Sequence, residues 1–180
     1  ELTLLHGAPA IEEELHVPDA DGPRALRFRI SPFSFFQTNS LAAEKLYGVV
    51  RQWVREVAPE AAPEVAPRRL YDPYGGSGGI AVCCAALVGR VVCVDQGGAA
   101  DEDRAFHLSA NGVGNVTFIV DRMKNYLLGV LECGGMRPSD VAVVDPPRSG
   151  MTPKALRRLV ECRPREILYI SCNPKILVRE

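Results

Sequence analysis

The feature that most constrains this chain is a set of short apolar runs that do not alternate with polar residues. Val91-Val92-Cys93-Val94, Val116-Thr117-Phe118-Ile119-Val120, Val141-Ala142-Val143-Val144 and Ile167-Leu168-Tyr169-Ile170 are separated by stretches of helical character. A strand without alternation is buried on both faces. Strands of that kind, each followed by a helix, imply a parallel sheet covered on both sides. Right-handed crossovers then give an α/β doubly wound fold. Leu70-Tyr71 reads as the first strand, leading into a glycine-rich turn. The expected helices are Ile80–Val88, Asp101–Ala110 (closed by Asn111-Gly112), Met123–Leu131 and Pro153–Cys162.

The chain before this alternation differs in character. Residues 1–37 read as a β-rich lead-in, with turn signals from Pro18 to Pro23 and a period-two strand at Leu26-Arg27-Phe28-Arg29-Ile30. Ser31-Pro32 ends that strand. A helix is expected over 38–57, with Thr38, Asn39 and Ser40 available as caps. Its apolar positions, Leu46, Val49, Val50, Trp53, Val54 and Val57, recur at steps of three and four. Pro59, Pro63 and Pro67 punctuate a linker at 58–68, and the α/β core occupies 69–180. Residues 38–180 thus form one unit, and a length of 180 residues suits one domain.

Composition excludes several classes. No apolar run approaches the ~18 residues of a membrane-spanning helix. The first residues lack the basic start of a secretory leader, so a cytoplasmic protein is expected. None of the six cysteines forms a C-x-x-C pair, and no metal site is expected. Most of them sit in apolar runs and read as buried small hydrophobes; Cys172 stands apart. The net charge is −1, but from Arg148 to Glu180 there are eight Lys/Arg against three Asp/Glu. That basic end suits either phosphate contact or an ordinary solvated helix face.

In doubly wound folds, ligands bind beyond the carboxyl ends of the strands. Here those ends carry Tyr74 to Gly79, Asp95, Asp121, Asp145 to Arg148 and Ser171 to Asn173. Asp72-Pro73-Tyr74-Gly75-Gly76-Ser77-Gly78-Gly79 follows a strand and opens a helix, allowing a tight turn and close ligand approach. Asp95, at the next strand end, can accept from ribose hydroxyls. The turn does not match G-x-G-x-x-G, and Gly76-Ser77-Gly78 suits an adenosyl ligand without a pyrophosphate. Asp121 can accept from an adenine amino group or cap the next helix. Asn111-Gly112 and Asn115 read as a helix end and a turn, with no chemistry assigned.

Asp145-Pro146-Pro147-Arg148 follows a buried strand, and its two prolines stiffen the backbone and place Asp145 and Arg148 over the cleft. An acid–proline–proline turn at this point is typical of enzymes that methylate planar nitrogenous groups. Ser171-Cys172-Asn173-Pro174 follows the last strand, and a cysteine in a polar tetrapeptide is not a core cysteine. Arg148, Lys175 and Arg179 are candidates to favour its thiolate.

Five segments together resemble the RNA (uracil-5-)-methyltransferase family. They are Phe28–Pro32 with Phe35-Phe36-Gln37-Thr38-Asn39, Ala43-Glu44-Lys45-Leu46-Tyr47, Asp72–Gly79, Asp145–Gly150 and Leu168–Pro174, in the family's order. The resemblance implies a class I methyltransferase fold that uses S-adenosyl-L-methionine to form 5-methyluridine in tRNA or ribosomal RNA. It implies that Gln37, Tyr74, Gly76, Gly78, Gly79, Asp95, Asp121 and Asp145 bind the cofactor. Cys172 would be the nucleophile, with Asp145 and Arg148 beside it as candidate catalytic residues.

The chain also departs from the family pattern. The family's proton-abstracting Glu lies well beyond its Cys-Asn-Pro segment, and Glu180 is not at a matching position. The last two strands of the fold are not expected within the chain, nor are the family's RNA-binding barrel and iron–sulfur cysteines. Gly75 stands where the family often has Cys, and Asp95 where Glu is usual. Two rival readings follow. One is a catalytically incomplete S-adenosylmethionine- or RNA-binding remnant of the same fold. The other is a nicotinamide-dependent oxidoreductase.

Overall fold

A computed structural model describes residues 5–32, 34–57, 68–97 and 101–180. The expected linker at 58–68 lies outside the described residues except for Arg68. Five parallel strands form the central sheet: β3 (Arg69–Pro73), β4 (Arg90–Asp95), β5 (Val116–Val120), β6 (Val141–Val144) and β7 (Glu166–Tyr169). Their spatial order is β5-β4-β3-β6-β7. The order reverses between β3 and β6, and the crevice at that reversal is where a doubly wound sheet binds its ligand.

Both faces of the three inner strands, β3, β4 and β6, are covered as expected, whereas the outer strands β5 and β7 are only partly buried. Leu70, Val91, Cys93, Val141 and Val143 turn toward one core, with β1 (Ile11–Val17), β2 (Arg24–Ile30), α1 (Ser40–Val57) and α2 (Gly79–Cys84). Tyr71, Val92, Val94, Ala142 and Val144 turn toward the other, against α4 (Met123–Glu132) and α5 (Pro153–Glu161). α3 (Asp101–Ala110) packs on β2, and α6 (Pro174–Arg179) follows β7. β7 is an edge of the sheet, and its Ile167 remains 38% exposed.

β1 and β2 form an antiparallel hairpin whose inward residues, Leu15, Val17, Leu26 and Phe28, are buried. The turn between the strands carries Asp19, which accepts from both Arg51 and Arg55 of α1. Burial opposes the Asp19 charge, but the two guanidinium groups and the Ala20 amide outweigh it and hold the carboxyl at about 2.

Several boundaries differ from the sequence reading, each for a local reason. α1 is capped by Asn39, whose side chain accepts from the Ala42 amide at 3.0 Å. Its buried face is Ala43, Tyr47, Val50, Arg51 and Val54, so Val49 is exposed and a charged residue is inside. Arg51 is tolerated there because it donates to the Cys83 carbonyl and to Asp19. The helix expected over Ile80–Val88 ends at Cys84 and tightens into a 3₁₀ turn, Ala85–Leu87. Asn115 explains the change: its amide donates to the Ala85 and Val88 carbonyls, both at 2.9 Å. Asn111 is also more than a helix end. Its side chain accepts from the Arg27 amide at 2.8 Å and donates to the Arg27 carbonyl at 2.7 Å, fastening β2 to α3.

Candidate active site

The glycine-rich turn begins in strain. Tyr74 has φ 70°, a left-handed value that costs a non-glycine residue free energy and persists only where the surroundings enforce it. Here the amides of Tyr74 and Gly75 both donate to the Val94 carbonyl, at 2.8 and 3.2 Å, pinning the turn to the end of β4. Gly75 has no room for a side chain. A Cβ there would stand 2.4 Å from Cys93 Sγ and 2.7 Å from Asp72 Oδ2. In this chain the Cys93 thiol fills the space that a side chain at 75 would need.

Asp95 closes the same corner. Its carboxylate accepts from the Gly76 amide and from the Gly97 amide, each at 3.2 Å. Beneath the turn, Asp72 is fully buried, and neither of its oxygens has a hydrogen-bond partner of full geometry among the described residues. Burial first, and then the nearby Asp145 charge, push the Asp72 carboxyl up to about 8; the Ala81 amide tempers the shift.

The turn after β6 faces these groups across the crevice. Asp145 is half-buried, which raises its carboxyl above the ordinary range. Pro146 is buried, while Pro147 and Arg148 are exposed. After β7, the Ser171 hydroxyl donates to the Asn173 carbonyl at 3.0 Å, and the Asn173 side chain accepts from the Lys175 amide at 3.2 Å. That tight turn leaves Cys172 exposed.

Together these segments enclose a cavity of about 600 Å³. Its walls include Gln37, Tyr74, Gly76, Gly79, Asp95, Asp145, Arg148 and Cys172, which the sequence had placed together, and also Phe35, Phe36 and Tyr47. The volume lies in the ordinary range for a small-molecule or cofactor pocket. Burial, with the carboxylates of Glu180 and Asp95, pushes the Tyr74 phenol up to about 12, so it faces the cavity as a neutral donor.

A family model described as tRNA (Uracil-5-)-methyltransferase matches residues 4–180. The chain belongs to this family. Among curated relatives, an uncharacterized RNA methyltransferase of Caldanaerobacter subterraneus subsp. tengcongensis is 36% identical over 99% of the chain and 35% of its own length. Another, from Protochlamydia amoebophila, is 35% identical over 97% of the chain and 38% of its own length. The solved structure of the Pyrococcus abyssi tRNA (uracil-54, C5)-methyltransferase in complex with S-adenosyl-L-homocysteine superposes with a TM-score of 0.70 at 28% identity. That match covers 97% of this chain and 37% of the Pyrococcus chain. A SAM-dependent methyltransferase from Agrobacterium tumefaciens shares the fold at 15% identity, with a TM-score of 0.63 over 91% of this chain and 53% of its own. This uracil-5-methyltransferase-family chain thus spans little more than a third of the length of the two curated relatives.

Two expected cofactor residues of this family member do not line the cavity. Gly78 turns away from it, and a Cβ there would meet the Phe118 ring at 2.7 Å; its lack of a side chain serves packing of the turn on β5. Asp121 is not among the lining residues, and its carboxylate accepts from the neighbouring Arg122 amide at 2.6 Å. Tyr47 was missed as a lining residue because its position on the apolar face of α1 reads as core. Its hydroxyl stands 2.6 Å from where a Cβ on Gly79 would be, so residue 79 must be small. Glu180 accepts from the Tyr169 hydroxyl and from the Met151 amide, an arrangement that ties α6 to the sheet. Cys83, Cys84, Cys93 and Cys162 are buried as expected, whereas Cys133 is exposed. Among the described residues no group of His, Cys, Asp or Glu could hold a metal ion, and no helix is long and apolar enough to cross a membrane.

Proposed function

We propose that this chain carries the S-adenosyl-L-methionine site and the nucleophile of an enzyme that methylates carbon 5 of uridine in RNA. The observation that supports it most directly is that Cys172 borders the same cavity as the Tyr74–Gly76 turn and Asp95. A nucleophile and a methyl donor must reach one pyrimidine from a shared space.

The residues present fit the cofactor. The glycine turn gives backbone access without a pyrophosphate cradle. The Asp95 carboxylate is fixed by two amides, ready to accept from ribose hydroxyls. When bound, the cofactor supplies an electrophilic methyl group on a sulfonium. The protein's part begins with the Cys172 thiolate, which adds to uracil carbon 6 and makes carbon 5 an enolate carbon able to take the methyl group. A base then removes the carbon 5 proton, and the Cys172 thiolate leaves by elimination. Asp145, a half-buried carboxyl on the cavity wall, is suited to hydrogen-bond the pyrimidine or the cofactor's amino acid end. Arg148 at the exposed rim is suited to phosphate. The target base must leave its stack for carbon 5 to reach the methyl donor.

The reaction replaces the carbon 5 hydrogen, so the test is release of tritium from RNA labelled at uridine carbon 5. Release that requires S-adenosyl-L-methionine supports the reading. Methyl transfer to RNA without tritium release would move the target to another atom. Binding of the cofactor with neither reaction would favour the remnant reading.

A further inference from the structure

The two walls of the cavity come from distant parts of the sequence, and one helix face grips both. The aromatic wall, Phe35 to Gln37, follows β2; the glycine wall, Gly75 to Ser77, follows β3. Between them runs α3, with Asp103, Arg104 and His107 turned inward and buried. Asp103 accepts from the Ser31 amide at 3.0 Å and from the Ser31 hydroxyl at 2.6 Å, fixing the start of the aromatic segment. Arg104 Nη2 donates to the Gly76 carbonyl at 3.4 Å. His107, fully buried, does both tasks with one ring. Its Nδ1 lies 2.9 Å from the Ser77 carbonyl oxygen, and its Nε2 lies 2.8 Å from the Arg29 carbonyl oxygen.

Both partners of that ring are acceptors. A neutral imidazole has one N–H and one lone pair, so it satisfies one carbonyl and presents a lone pair to the other. Only the ring with protons on both nitrogens donates to both. Phe28 and Phe106 close the ring's surroundings edge-on, with centroids at 5.2 and 6.4 Å. Packing alone would be served by an apolar side chain. An imidazole also sets one nitrogen against a carbonyl of each wall and so fixes their separation.

We propose that His107 is a positioning residue for the methyl-donor site: with one ring nitrogen against a carbonyl of each wall, it holds the glycine wall and the aromatic wall in one cavity of set width. It touches neither cofactor nor substrate and acts through Ser77 and through the segment that Arg29 begins. The proposal rests on the cofactor reading above and adds a residue that no motif of the sequence singled out.

The test is calorimetric binding of S-adenosyl-L-homocysteine to the unaltered protein and to His107→Leu and His107→Gln, with ring ¹⁵N shifts of His107 in the unaltered protein. Leucine keeps apolar bulk but leaves the buried Ser77 carbonyl and the part-buried Arg29 carbonyl without this contact, and affinity should fall by ~10–100-fold. Glutamine can donate to one of the two carbonyls and should recover part of the loss. The ring shifts should move when S-adenosyl-L-homocysteine binds, because both carbonyls belong to segments that wall its site. Unchanged affinity in His107→Leu would overturn the proposal, as would equal losses in the two variants, which would point to packing alone. Should His107→Leu fail to fold, the ¹⁵N spectrum decides: ring shifts of His107 that S-adenosyl-L-homocysteine leaves unmoved contradict the proposal. No binding to the unaltered protein would fell the cofactor reading together with this one, whereas binding that is indifferent to residue 107 fells only this one.

Discussion

Asp95 Oδ2 accepts a hydrogen bond from the Gly76 amide at 3.2 Å, joining the end of β4 to the turn after β3. The other oxygen is held by the Gly97 amide, so the carboxylate is oriented before any ligand arrives. Asp95→Ala should weaken S-adenosyl-L-homocysteine binding by ~10–100-fold, the scale of a lost hydrogen bond to a charged group. Asp95→Glu should retain more affinity than Asp95→Ala. Calorimetry on the two variants measures both effects.

A substitution at Gly75 should be costly, and the cost should depend on residue 93. Gly75→Ala drives a methyl group into Cys93 Sγ, and overpacking of this kind costs about 1–3 kcal/mol. Combining it with Cys93→Ala removes the sulfur and should return part of the loss. Because Asp72 Oδ2 stays 2.7 Å away, the rescue should be incomplete. Urea denaturation midpoints of the two single variants and the double variant give the coupling directly.

Asp72 should make stability depend on pH in an unusual direction. Its carboxyl titrates at about 8 in the folded chain, against an ordinary 3.8. Between those values the unfolded chain releases the proton and the folded chain keeps it, so folding loses stability as pH rises through that window. Below the window both states are protonated and the penalty vanishes. Asp72→Asn removes this dependence, so its stability relative to the unaltered protein should grow steadily from pH 4 to pH 8. A constant difference across that range, measured by urea unfolding, would show that Asp72 is not the titrating group.

The sheet was legible in the sequence because four unalternating strands leave few other ways to bury both faces. The carboxyl-end residues followed from that, and Tyr74, Asp95, Asp145, Arg148 and Cys172 meet at one cavity. What pattern could not show was which glycine faces a ligand and which faces a ring. Gly78 and Gly79 look alike in sequence, yet Gly78 clears Phe118 and Gly79 clears the hydroxyl of Tyr47. Nor could spacing distinguish the residues that grip backbone groups. Asp103, His107 and Asn111 read as an ordinary polar helix, and their importance appears only once β2 and the residues after it lie against them. Arg51 was hidden for the opposite reason: a charged residue on an apolar helix face is expected outside, and only Asp19 and the Cys83 carbonyl make its burial tolerable.

The most direct measurement of the central claim uses RNA containing 5-fluorouridine together with S-adenosyl-L-methionine. Fluorine at carbon 5 cannot be removed as a proton, so elimination is blocked and the adduct between sulfur and carbon 6 persists. The account predicts a protein–RNA complex that survives denaturing electrophoresis, with the modified peptide containing Cys172, and no such complex from Cys172→Ala. An adduct that persists in Cys172→Ala, or is mapped to another residue, would contradict it.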